Sequence, residues 1–153
     1  MNRTNIVRKA KGFTLIEVLL VIAIIAILAS IVIIAINPAR QIAQANNAQR
    51  RSNVNTILNA VHQYAIDHRG ALPTTVSTTA SFVCQTGAAV TTTCTDLSVL
   101  TNDQLYIASL PIDPSTTSTV DTGYRISKST STNARITVTA PYAELEETIS
   151  VLR

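Results

Sequence analysis

A chain of 153 residues and 16.4 kDa has room for one membrane segment and one small domain, which excludes an enzyme with a separate substrate domain. Hydrophobic residues make up 46% and mean hydropathy is +0.27, yet aromatics are only 4% and charged residues 14%, so the apolar content is aliphatic and locally concentrated. The pI of about 9.1 traces to Arg3, Arg8, Lys9 and Lys11, which precede every acid; the rest is close to neutral, and nothing in the charge directly supports nucleic-acid binding.

The predicted elements begin with a long apolar segment. From Val18 to Ile36 only Ser30 is polar. Residues 13–36 extended as a helix span roughly 36 Å at about 1.5 Å per residue, enough to cross a ~30 Å hydrocarbon core. The fourteen Leu, Ile and Val side chains of Val18–Ile36 favour insertion by roughly 6 kcal/mol, against about 2.5 to 3.5 for one central acid, so Glu17 does not keep the segment out. In hydrocarbon the backbone must satisfy itself, which forces helix on a Val- and Ile-rich run. The four bases before it place residues 1–12 in the cytoplasm and the chain beyond the span outside. A cleaved secretory signal has a shorter apolar core, although Ala29-Ser30 mimics its processing site. Neither that reading nor a simple signal anchor uses Glu17, and an ionisable residue in a span is a functional candidate by default.

Lys11-Gly12-Phe13-Thr14-Leu15-Ile16-Glu17-Val18-Leu19 resembles the prepilin motif of type IV pilins and the pseudopilins of type II secretion. The resemblance implies a prepilin peptidase that cuts between Gly12 and Phe13, N-methylation of Phe13, an inner-membrane assembly platform, and a homo-oligomeric filament held through Phe13 and Glu17. Gly12 suits the cut because it offers backbone without a side chain. The freed amine of Phe13 and the Glu17 carboxylate are an i, i+4 pair within a chain, or partners between chains displaced by about one helical turn. The resemblance favours the second arrangement. Membrane lipid surrounds the segment before assembly. The competing reading is a signal-anchored monomeric binding module, in which Glu17 has no task.

Asn37-Pro38 predicts a kink or a short unwound stretch, because Pro38 cannot donate to the Ile34 carbonyl. Residues 37–70 then read as an amphipathic helix with Ile42, Ala45 or Ala48, Val54, Ile57, Leu58, Val61 and Ala65 on its apolar stripe, ended by Gly70 and Pro73. Residues 13 to about 68 are thus expected to form one long, bent helix. Its Arg50-Arg51 pair is read as a solvated or ion-paired face, with contact to DNA or lipid headgroups as the lesser alternative. His62 and His68 are read as solvated.

Residues 71–153 change character, with 29 Ser or Thr among them, which favours strands and turns. Residues 74–83 are expected to be loop, and 96–110 a short helix plus an extended piece. Alternation predicts strands at Asp121–Lys128, Arg135–Thr139 and Thr148–Leu152, the first two joined as a hairpin through residues 129–133. The fold class is therefore α+β, a long N-terminal helix on a small antiparallel sheet, in the order leader 1–12, polymerisation helix 13–36, amphipathic helix 37–70 and β domain 71–153. Cys84 and Cys94 both fall outside the membrane with no His beside them, so a disulfide closing a short loop is expected.

No nucleophile elbow, P-loop, dinucleotide fingerprint or HExxH occurs, and no catalytic residue, cofactor or metal is assigned. Asp113 and Asp121 resemble in position the calcium-holding carboxylates of some major pseudopilins. Calcium takes six to eight oxygens, however, and two separated aspartates supply few.

Overall fold

The computed structural model describes residues 12–89, 93–131 and 134–153. The expected leader is outside them, apart from Gly12. The chain divides into two compact units, 1–39 and 40–153.

In the first unit, α1 spans Leu15–Ile36. Thr14 caps its start in a capping box: the Thr14 hydroxyl accepts the Glu17 N–H at 3.3 Å, and the Glu17 carboxylate accepts the Thr14 N–H at 2.8 Å. The helix stops at Asn37, which is left-handed (φ 49°), and a second helix, α2, starts at Pro38 and runs to Asp67. The break falls at Asn37-Pro38, where a kink or short unwound stretch is expected, and divides the expected long helix into two. A proline is welcome at the first helical position, where its missing N–H would have had no partner, and it bars the residue before it from α geometry.

In the second unit, α2 ends with the Gly70 N–H on the Ala65 carbonyl at 2.7 Å, across a left-handed Arg69. Its buried positions are Ala43, Asn47, Arg50, Val54, Ile57, Leu58, Ala60, Val61 and Ala65, at the spacing of one helix face. The C-terminal half of the expected stripe is there, but Ile42, Ala45 and Ala48 are exposed. Asn47 and Arg50 take the inward positions instead.

The sheet has five strands in the order β2-β1-β3-β4-β5: β1 Ser81–Cys84, β2 Cys94–Thr95, β3 Asp121–Lys128, β4 Ile136–Ala140 and β5 Ile149–Leu152. The three strands expected from alternation are β3, β4 and β5, antiparallel neighbours, with Ile126 opposite Val138 and Val138 opposite Val151. Residues 132 and 133 of the expected connection lie outside the described residues. The expected loop at 74–83 is corrected at its end, since Ser81–Val83 belongs to β1, which pairs antiparallel with β3 and parallel with β2. Thr122 donates its hydroxyl to the Val83 carbonyl at 3.1 Å, and the Ser81 and Thr95 hydroxyls pair, so Ser and Thr here work as strand cross-links. A disulfide joins Cys84 to Cys94, Cα–Cα 5.2 Å, holding the end of β1 to the start of β2. Between β2 and β3 lie α3, Ser98–Thr101, and a 3-10 turn at Asn102–Gln104.

One face of the sheet meets α2. Val54, Ile57, Leu58 and Val61 pack with Val83, Tyr124, Ile126, Ile136 and Val138, closed at the side by Leu97 and Leu100 of the α3 segment. Leu105, in the following turn, is exposed.

Candidate functional site

The residues singled out from the sequence lie in both units. At the N-terminus, Gly12 stands in open space, where an added Cβ would meet nothing within 4 Å, and Phe13 is 89% exposed. Glu17 is the third residue of α1, and one of its oxygens takes both the N–H and the hydroxyl of Thr14, each at 2.8 Å. The glutamate therefore has a local task, ordering the first turn, that the sequence reading missed. Its signature was present as Thr14-x-x-Glu17 before an apolar run. Beyond this turn α1 is apolar on every side, and none of its residues is buried. Ser30 returns its hydroxyl to the Ile27 carbonyl at 2.7 Å, so even its polar group is satisfied within the helix. By length and composition α1 can cross a membrane.

The second unit holds a buried polar cluster that sequence reasoning did not find. Arg50, expected on a solvated or ion-paired face, is fully buried. Its Nε and Nη2 donate to the two oxygens of Asp113 at 2.8 and 3.2 Å, its Nη1 to Glu144 at 3.1 Å and to Asn47 Oδ1 at 2.9 Å, and its Nη2 also to the Ser115 hydroxyl at 2.7 Å. Asn47 accepts the Glu144 N–H at 2.9 Å and donates to the Glu144 carbonyl at 2.7 Å. Arg51, one position on, is exposed and pairs with Glu147. The adjacent arginines thus differ completely in environment, because residues one apart on a helix point about 100° away from each other.

The electrostatics of the cluster are set by this packing. Burial penalises the Asp113 carboxylate, but the bonds from Arg50 and from the N–H and hydroxyl of Ser115 outweigh it and hold its pKa below the ordinary value. The Asn46 amide, with Arg50, does the same for Glu144. Burial acts against the Arg50 charge, while Asp113 and Glu144 more than restore it and raise its pKa. Gly123 is what lets β3 approach: its φ is +82°, and a Cβ there would stand 2.8 Å from the Asp113 Cβ and 3.3 Å from the Tyr142 ring.

These partners also decide what the two aspartates considered for calcium are doing. Asp113 is committed to Arg50 and Ser115, whereas Asp121 accepts from the Ser118 hydroxyl at 2.7 Å and the Gly123 N–H at 3.0 Å. Among the described residues, no three His, Cys, Asp or Glu side chains group where a metal ion would sit. His68 stacks on Tyr64, ring centroids 3.9 Å apart. His62, expected to be solvated, is half-buried, and its buried Nε2 finds no hydrogen-bond partner among the described residues.

Residues 7–35 match the family model described as the prokaryotic N-terminal methylation motif. The chain carries the N-terminal signature of type IV pilins and pseudopilins. The match takes in Gly12, Phe13, the Thr14–Glu17 cap and almost all of α1, and the β-containing unit lies beyond it. No curated protein and no solved structure matches the chain.

Proposed function

We propose that this protein is a subunit of a type IV pilus-like or pseudopilus filament, cut after Gly12 by a prepilin peptidase, methylated on the new amine of Phe13, and assembled on an inner-membrane platform through residues 13–36. The observation that carries the reading is the methylation motif lying on a helix that is apolar all round and buries none of its own side chains. Such a helix is covered by lipid before assembly and by copies of itself afterwards. A filament also gives Glu17 a partner, the amine of Phe13 in the next subunit, in addition to its bond to Thr14. The capping box keeps the carboxylate at the helix end, where that amine would arrive.

Mass spectrometry of the protein purified from its native cells tests the processing. A mature N-terminus at Phe13 bearing one methyl group is expected. An N-terminus at Met1, or at a residue following Ala29 or Ser30, would overturn the proposal in favour of a signal-anchored or secreted module. Assembly is tested by Glu17→Ala in cells without a wild-type copy: filaments should be lost, because an amine left unpaired in an apolar interface costs on the order of 3–5 kcal/mol per contact. Filaments at normal abundance would remove Glu17 from the assembly mechanism.

A further inference from the structure

Gly12, Phe13 and Thr14 stand outside α1, and Thr14 has an extended backbone with ψ 152°. The Val18 N–H reaches the Thr14 carbonyl at 3.3 Å, the first main-chain bond of the helix. One more turn toward the N-terminus would put the Glu17 N–H on the Phe13 carbonyl and the Ile16 N–H on the Gly12 carbonyl. Thr14 supplies the alternative. Its hydroxyl takes the Glu17 N–H at 3.3 Å, while its own N–H is held by the Glu17 carboxylate at 2.8 Å, so the helix starts at Leu15 with these donors satisfied by side chains.

We infer that Thr14 is a positioning residue for the cut between Gly12 and Phe13: by starting α1 at Leu15 it keeps the Gly12 carbonyl out of the helix and within reach of the peptidase. The inference rests on the processing proposed above. In the cut, water adds to the Gly12 carbonyl carbon, the bond to the Phe13 nitrogen breaks, and that nitrogen gains a proton and leaves as the new amine. A cleft that takes peptide in extended form uses the substrate's own N–H and C=O groups, which a helix has already engaged. Unsatisfied N–H groups are costly at membrane depth. Without the cap, the donors of the first turn are satisfied by winding back onto the Phe13 and Gly12 carbonyls, and Gly12 alone resists that winding only weakly.

The test is the kcat/KM with which a purified prepilin peptidase cuts the full chain in detergent micelles. Thr14→Val keeps the shape of the side chain and removes the cap, and it should slow the cut by about fivefold, the shift expected from losing one N-cap. Thr14→Asn changes the shape and keeps a strong cap, so it should be cut within about twofold of the wild-type rate. In the uncut chain, the carbonyl carbon resonance of Gly12 should move toward the helical range in Thr14→Val and stay in place in Thr14→Asn. The inference is overturned if Thr14→Val is cut as fast as the wild type, or if it leaves the Gly12 resonance where it was. It is equally overturned if Thr14→Asn is cut as slowly as Thr14→Val, since the peptidase would then be reading the threonine itself. A wild-type chain that is not cut after Gly12 overturns the processing proposal, and this inference with it.

Discussion

Two consecutive helices, separated by one left-handed residue, use hydrophobicity in opposite ways. α1 is apolar from end to end and buries nothing; α2 is mostly polar and buries nine residues along one face. Total apolar content states how strongly a segment avoids water, and the spacing of its apolar positions states against what it packs. A helix with no polar face has no orientation to prefer within its own chain. A helix with one stripe has already chosen its neighbour, the sheet.

The largest test of this contrast is Arg50→Ala. It leaves Asp113 buried without its partner and should destabilise the domain by about 3–5 kcal/mol in a denaturant titration of the full chain. Arg50→Met combined with Asp113→Leu removes both charges and should cost less than half of that. A double variant as unstable as Arg50→Ala would mean that the ion pair itself, not its imbalance, holds the loop. Gly123→Ala should cost at least about 1–2 kcal/mol from the left-handed backbone alone, and more from the clash with Asp113, read as a lower melting temperature. Acid sharpens the comparison further. Asp113 and Glu144 titrate below the ordinary carboxylate value in the folded state, so their stabilisation is fully present above the unfolded pKa of about 4 and is lost as pH falls through the lower folded values. Chemical denaturation from pH 6 to pH 2 should show this loss, and Arg50→Ala should flatten it. Smallest of all is Ile25→Ala, in α1: less than about 0.5 kcal/mol in the same denaturation, because Ile25 is 57% exposed.

Legibility in the sequence followed the same division. The span, the motif and strands β3 to β5 announced themselves because their apolar residues recur at the period of the element. β1 and β2 did not. A parallel pair in which β2 has two residues leaves no alternation to see, and its cross-links are Ser and Thr hydroxyls that read as loop composition. The first half of α2 misled for a related reason: its inward positions are Asn47 and Arg50, so a search for apolar periodicity shifted onto the exposed Ile42, Ala45 and Ala48. Nothing local distinguishes Arg50 from Arg51. Only the arrival of Asp113 and Glu144, 63 and 94 residues later, makes one of them internal.

That separation has a temporal side. Because Arg50 is made long before its partners, a chain emerging from the ribosome or across a membrane carries an unmatched guanidinium on α2 until Asp113 and then Glu144 have been added. α2 therefore cannot give Asn47 and Arg50 their full set of partners until Glu144 has been made. A truncated copy that stops before Glu144 keeps a hydrated, open flank at that spot.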